Sequence, residues 1–139
     1  MNILALCIGL LIAVCIIFYF NTQKIEFSAK AYPALLFTFP LYYFVFAIYG
    51  NDQRALFLEM MIGLLFFFVA ALSLRMSTKN KMLLLSAGFI AHGLYDVIHN
   101  ALFFNAGTPI WWPEFCGIID IILGVYLVGL FFSCKRILA

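Results

Sequence analysis

One ten-residue segment carries most of the groups that could do chemistry. In AHGLYDVIHN, residues 91–100, His92, Asp96 and His99 follow one another at intervals of four and three residues. At about 100° per residue, these three side chains lie within about 60° of each other on a helix, with Tyr95 and Asn100 on either side of the stripe. Ionisable groups on a membrane-spanning helix are costly, and lipid cannot satisfy them. We therefore interpret this stripe as a functional site facing the interior of a membrane bundle.

Acids on other apolar segments have the right depth to join the stripe. Glu59 lies in LFLEMMIG and Asp120 in GIIDII. If the helix with the stripe runs outward and its neighbours run inward, a rise of about 1.5 Å per residue places both acids near Asp96 in the outer half of the membrane. Glu114 would then lie at the mouth of the site. The pattern predicts one polar pocket that opens to the extracytoplasmic side.

A divalent metal, zinc or iron, is the first candidate cofactor, because imidazole and carboxylate are ordinary ligands of both. His92 and His99 would be ligands, and Asp96 would either bind the metal or orient a histidine. Glu59 or Asp120 would complete the ligand set or act as general base on a metal-bound water. Two residues seven apart are separated by about 10 Å along a helix, so His92 with Asp96, or Asp96 with His99, is the easier ligand pair.

Three other functions remain open for the same residues. Without a metal they could form an acid–base site for an apolar substrate, with ring faces that stabilise a developing cation, as an isomerase or cyclase needs. They could belong to a carrier or proton pathway, although the inner half offers only Ser73, Ser86 and cysteines. They could also be a satisfied polar network that fixes helix pairing. The aromatic candidates are Tyr42, Tyr43, Phe66, Phe67, Phe68, Tyr95, Phe103 and Phe104. The leading hypothesis is a metal-assisted or acid–base enzyme, such as a hydrolase, that acts on a lipid-like substrate.

Composition determines the elements that must position these residues. Of 139 residues, 67% are hydrophobic and only 10% charged, with a net charge of +2. This excludes a soluble domain and intrinsic disorder, and it leaves no basic face for nucleic acid. Stretches of about 20 apolar residues predict membrane-spanning helices. The prediction is an all-α polytopic membrane protein with a single domain over residues 1–139, a compact up-down bundle of antiparallel neighbours. The five predicted helices are 1–20, 32–49, 55–74, 82–104 and 110–134.

Basic residues predict the orientation, because short loops rich in lysine and arginine stay in the cytoplasm. Seven of the eight fall in the first loop, the third loop and the tail, and only Arg54 falls on the other side. The N-terminus is therefore expected outside and the C-terminus in the cytoplasm, with Trp111 and Trp112 at the outer interface. The first segment lacks the marks of a cleaved leader and is expected to be a permanent helix. The seven basic residues expected on the cytoplasmic side are Lys24, Lys30, Arg75, Lys79, Lys81, Lys135 and Arg136.

The four cysteines form no CxxC pair. Cys7, Cys15, Cys116 and Cys134 are therefore expected to be free, small core residues. Cys7 and Cys116 are both expected in the outer half and could meet there.

The segment AHGLYDVIHN, followed by a short loop and PEFCGIID, resembles a family of small uncharacterised multi-pass bacterial membrane proteins. Their pattern is a His-x3-Asp-x2-His helix followed by a Cys-x3-Asp helix, and the resemblance covers about residues 88–125. It implies that His92, Asp96, His99, Cys116 and Asp120 belong together, and it makes Cys116 a candidate member of the site. It implies no activity. The expected location is the bacterial inner membrane, the expected partners are membrane lipids and a lipid-like small molecule, and a homo-oligomer is left open.

Overall fold

The computed structural model describes residues 2–137, and side chains from residue 2 to 133. Those residues form five α-helices and no strand. All five helices are long and apolar enough to cross a membrane. The all-α prediction and the number of helices are confirmed. The helices are α1 (Ile3–Thr22), α2 (Ala31–Tyr49), α3 (Gln53–Ser73), α4 (Thr78–Leu102) and α5 (Trp112–Ile137).

The largest difference from the predicted ends concerns α4. It begins at Thr78 instead of residue 82, and it ends at Leu102 instead of 104. The hydropathy pattern identifies only the apolar part of a helix, and the first turn of α4 is polar, so the pattern did not include it. At the other end the backbone of Phe103 is extended and ends the helix. A loop over residues 103–111 begins there and folds back onto the bundle.

Helix α4 occupies the centre of the bundle and packs against α5, α3 and α2. α2 packs against α3, and α1 packs along α5, while the Phe20 ring of α1 contacts Tyr32 of α2. α1 and α5 are parallel, as shown by the hydrogen bond from the backbone N–H of Asn2 to Glu114 Oε1, 3.3 Å long, where both helices begin. Apart from the ring contact, the described part of α1 does not pack along α2, so the expected antiparallel packing of sequence neighbours is not found for α1.

Two features explain the position of α1. A Cβ atom added at Gly9 would lie 2.5 Å from the carbonyl oxygen of Phe115, so the glycine allows α1 and α5 to approach closely. The connection between α1 and α2, residues 23–30, is held against α5 because the Tyr126 hydroxyl donates a hydrogen bond to Glu26. Close backbone approach at small residues is the ordinary way in which apolar helices associate in lipid.

Apolar side chains fill the half of the bundle nearest the start of α4. Five of them, from α4 and α5, have no exposed surface. They are Met82, Leu85, Phe89, Leu123 and Leu127. Buried polar side chains in the same half include Ser73, Lys81 and Ser86. The outer surface of the bundle is also apolar, and large side chains such as Phe18, Phe68 and Val97 are 66–73% exposed. A surface of this kind is suited to lipid rather than to water.

Candidate metal centre

The site lies where glycines allow α4 and α5 to pack closely against each other. A Cβ atom at Gly93 would lie 2.9 Å from the backbone oxygen of Gly117, and one at Gly124 would lie 2.6 Å from the side chain of Ile90. Neither position has room for a side chain, so the two helices meet backbone to backbone. Residues four apart on each helix therefore face each other across a short gap.

Four potential metal ligands meet in that gap: His92 and Asp96 from α4, and Cys116 and Asp120 from α5. We call them the α4–α5 cluster. Each is at most 2% exposed, and one ligand atom from each lies within 4.8 Å of all the others. His92 Nδ1 lies 2.7 Å from Asp120 Oδ2 and 3.6 Å from Asp96 Oδ2. Cys116 Sγ lies 3.8 Å from Asp120 Oδ2.

These separations suit a small divalent cation. Ligands at about 2.0–2.3 Å from a tetrahedral zinc ion are roughly 3.3–3.8 Å from one another. The spacings of 3.6 and 3.8 Å already fall in that range. The hydrogen-bonded pair at 2.7 Å would have to open by less than about 1 Å. A donor set with one nitrogen, one sulfur and two carboxylates is typical of zinc or iron rather than of magnesium or calcium.

The cluster leaves three polar atoms without a hydrogen-bond partner. These are His92 Nε2, Asp96 Oδ2 and Asp120 Oδ1, all shielded from solvent. An unpartnered buried polar group costs about 1–3 kcal/mol, and more if it is charged. Only Asp96 Oδ1 is well satisfied from outside the cluster, by the Tyr43 hydroxyl at 2.6 Å. The two free carboxylate oxygens are therefore available to a further ligand.

A second polar group lies next to the cluster and is fully hydrogen-bonded. His99 Nε2 and the Asn105 side-chain amide lie 2.8 and 3.1 Å from Glu59 Oε1, and the Tyr95 hydroxyl donates to Oε2 at 2.6 Å. We call these four residues the Glu59 network. Both oxygens of its buried carboxylate have partners, so it needs no cation to be stable.

Aromatic rings separate the two groups and also connect them. The Tyr43 ring stacks on His99 with 4.4 Å between centroids, while its hydroxyl reaches Asp96. The edge of Phe66 packs against His92 at 4.6 Å. The rings close the cluster to water from the side of α2 and α3.

The residues predicted from sequence therefore separate into two adjacent groups. The α4–α5 cluster contains His92, Asp96, Cys116 and Asp120, and the Glu59 network contains Glu59, Tyr95 and His99. The two histidines have different neighbours because they are two helical turns apart on α4. The structure therefore does not bring His99, a predicted ligand, into the cluster.

Two other predicted residues lie outside both groups. Asn100 is exposed, with its side-chain oxygen 3.2 Å from His99 Nδ1. Glu114 is half-buried and accepts the Asn2 N–H.

The prediction that the cysteines are free is confirmed for Cys7, Cys15 and Cys116, but the prediction that they are core residues is wrong for Cys7 and Cys15, which are exposed on the apolar surface. Cys7 does not meet the buried Cys116. The side chain of Cys134 lies outside the described residues.

Sequence reasoning missed two contributors. Asn105 is 2% exposed although it lies in a loop, and nothing in the sequence links it to Glu59. For Tyr43 the sequence analysis uses only the aromatic ring. Its hydroxyl lies in an apolar segment and needs a hydrogen-bond partner, and that requirement is the signal that could have indicated a buried acid nearby. Among the other aromatic candidates, Phe66, Tyr95 and Phe103 contact histidine rings. Tyr42, Phe68 and Phe104 face outward.

Comparison of the chain with protein-family models, with curated proteins and with solved structures finds no match in any of the three. The family resemblance of residues 88–125 and the bacterial origin therefore remain predictions.

Proposed function

We propose that this chain is an integral membrane protein that binds zinc or iron in the α4–α5 cluster and uses it in a reaction on a lipid-like substrate. One observation carries the proposal. The Glu59 network satisfies its carboxylate completely, whereas the cluster next to it leaves two aspartate oxygens unpartnered in the same apolar bundle. Two buried acids that face one imidazole and each keep one oxygen without a donor are better explained by a cation than by structural hydrogen bonding.

The chain's own residues would hold and shield the reacting centre. When bound, such a metal polarises a carbonyl or phosphoryl oxygen or activates a water molecule. Tyr43 fixes the orientation of Asp96 through its hydrogen bond. Asp120 would hold the metal through Oδ2, which would leave its unpartnered Oδ1 to accept a hydrogen bond or a proton beside the reacting atoms. Phe66 keeps water from the far side of His92. Hydrolysis is the simplest reaction that these roles support.

The location of the site in the membrane is part of the proposal. The five apolar helices and their apolar outer surface support insertion. The distribution of basic residues supports an outside N-terminus and a cytoplasmic C-terminus in a bacterial inner membrane. In that orientation the cluster and the Glu59 network lie in the outer half.

A carrier is less well supported than an enzyme. A transported ion would have to continue past His92 toward the start of α4, where the described side chains include Leu85, Phe89 and Leu123, all without exposed surface. Ionisable groups that line a route across the membrane are the mark of a transport path. In this half α4 has one buried ionisable side chain, Lys81 in its first turn, and residues 82–91 between Lys81 and His92 include no acid, lysine, arginine or histidine.

Metal content of the purified protein tests the proposal. We expect close to one zinc or iron per wild-type chain and loss of most of it in His92→Ala and Asp120→Asn. His99→Ala is the matched control, because it removes an equally buried imidazole of the same helix from the Glu59 network, and it should keep the metal. Absence of stoichiometric metal, or equal loss in both histidine variants, would contradict the assignment.

A further inference from the structure

A cleft between α1, α4 and α5 lies directly beside the α4–α5 cluster. Its volume is about 460 Å³, within the range of about 300–1,000 Å³ that is usual for small-molecule sites. The walls are mainly apolar, with Leu6, Val97, Ile118 and Ile121 from the three helices. At one end the lining becomes polar with Asn100 and Glu114.

The cleft continues to the surface of the bundle. A shallower depression shares Ile110 and Glu114 with it and adds Asn2 and Ile3. On the side of the bundle, Val97 is 73% exposed, so the apolar part is open toward the surrounding lipid. The whole cavity is thus apolar along its length and polar at the end where α1 and α5 begin.

Gly117 forms the boundary between the cleft and the cluster. It lines the cleft, and a Cβ atom placed on it would lie 3.8 Å from Asp96 Oδ2. That oxygen is one of the buried atoms without a hydrogen-bond partner. Since glycine has no side chain, only a backbone segment separates the cleft from an unpartnered carboxylate oxygen.

We propose that this cleft binds the substrate, a single-chain amphiphile that enters from the membrane and places its polar–apolar junction at Gly117, beside Asp96. The inference rests on the proposed function for the identity of the reacting site. The apolar chain would lie along Leu6, Ile118 and Ile121, and a hydrogen-bonding head would lie near Asn100. No lysine or arginine lines the cleft or the depression, so the head carries no phosphate. A monoacylglycerol has the required chemistry.

Photo-crosslinking with a diazirine-bearing monoacylglycerol tests the binding site. In proteoliposomes, we expect saturable crosslinks to α1, α4 and α5 around Ile121, competed by unlabelled monoacylglycerol and not by lysophosphatidic acid. Ile121→Trp should fill the cleft and remove most of this signal. Leu74→Trp is the matched control, because Leu74 lines a groove of similar volume between α2 and α3 whose polar lining is Lys30 and Thr38 and which contains no acid.

Three outcomes would overturn the inference. Crosslinking that is equally strong in the α2–α3 groove would show ordinary lipid contact. Equal competition by lysophosphatidic acid would exclude the assignment of the head group, and an unchanged signal in Ile121→Trp would exclude the cleft. Metal content measured in the same samples separates this inference from the proposed function. Metal without saturable crosslinking contradicts only the inference, whereas saturable crosslinking without metal contradicts the proposed function.

The boundary at Gly117 has a separate test. In cobalt-loaded protein, monoacylglycerol should change the visible absorption spectrum of the wild type, because it lies next to a ligand. Leu6→Trp should keep the cobalt and lose the change, since it fills the cleft from α1, a helix that contributes no residue to the cluster. Leu4→Trp, also on α1, does not line the cleft and should behave as the wild type. A spectral change that persists in Leu6→Trp would place the substrate elsewhere.

Discussion

Two buried acids at adjacent places in the bundle have opposite surroundings. Glu59 receives hydrogen bonds on both oxygens from three side chains. Asp120 Oδ2 meets the His92 imidazole and, at 3.8 Å, the weakly donating Cys116 thiol, whereas its Oδ1 has no partner. Burial is the same for both acids, so the number of donors distinguishes a structural carboxylate from one that is available for a ligand.

At the residue scale, Tyr95→Phe should destabilise the protein without affecting metal binding. It removes the donor to Glu59 Oε2 and leaves that oxygen buried and unpartnered, at a cost of about 1–3 kcal/mol. Thermal unfolding in detergent, followed by circular dichroism, measures the change. Tyr42→Phe removes a hydroxyl from a side chain that is 45% exposed and should have little effect. Equal stability of the two variants, or loss of metal in Tyr95→Phe, would contradict the separation of network and cluster.

Among the elements, the α4–α5 pair determines the geometry of the site. Each helix contributes two ligands four residues apart, so one turn of each must face the other at close range. Gly93 and Gly117 provide that approach within the site, and Gly124 continues it one turn farther along α5. A small change in the distance between the helices would change all the ligand separations together.

Gly93→Ala should therefore lower both stability and metal affinity. The added methyl would lie 2.9 Å from a backbone oxygen of α5 and 3.1 Å from the Asp120 side chain, so the helices must move apart. Overpacking of this kind costs about 1–3 kcal/mol, which exceeds the gain of up to about 1 kcal/mol in helix propensity. Zinc titration and thermal unfolding report the two effects. Gly129→Ala, which meets no atom within 4 Å, should leave metal affinity unchanged and raise stability slightly through helix propensity. Metal affinity that survives Gly93→Ala would show that the helix separation does not control the site.

The helices could be predicted from sequence because each is a long apolar run, and the α4 stripe could be predicted because it is the polar face of one such run. Helix ends were less accurate, since Thr78 and the polar residues after it are helical without being hydrophobic. The site was only partly predictable. The depth of each residue in the membrane places Glu59 near Asp96. Depth does not show which side of α4 each neighbouring helix occupies, and the side determines whether His99 or Cys116 shares a site with His92.

For the whole molecule, α1 is the element that sequence order placed wrongly. Short connections favour packing of α1 against α2, its neighbour in sequence. Instead α1 packs along α5, parallel to it, and Gly9 permits the close contact. This arrangement has a functional consequence. α1 forms one wall of the cleft beside Gly117, which would be absent if α1 were packed against α2.

The orientation of the molecule can be tested with a membrane-impermeant maleimide. Asn51→Cys should react from the extracytoplasmic side and Asn80→Cys only after the membrane is opened, because Asn80 lies in the lysine-rich region and Asn51 does not. Both asparagines are exposed. The background should contain serine in place of Cys7, Cys15 and Cys134. Labelling of position 51 from the cytoplasmic side only would reverse the proposed orientation.

The central claim is that a metal is bound by this particular set of side chains, and cobalt absorption tests it most directly. Cobalt bound to a thiolate has an intense charge-transfer band that oxygen and nitrogen ligands do not produce. We predict this band in the wild type and in Cys7→Ser, whose cysteine is exposed and free, and its loss in Cys116→Ser. A band that persists in Cys116→Ser, or no cobalt bound by the wild type, would contradict the account.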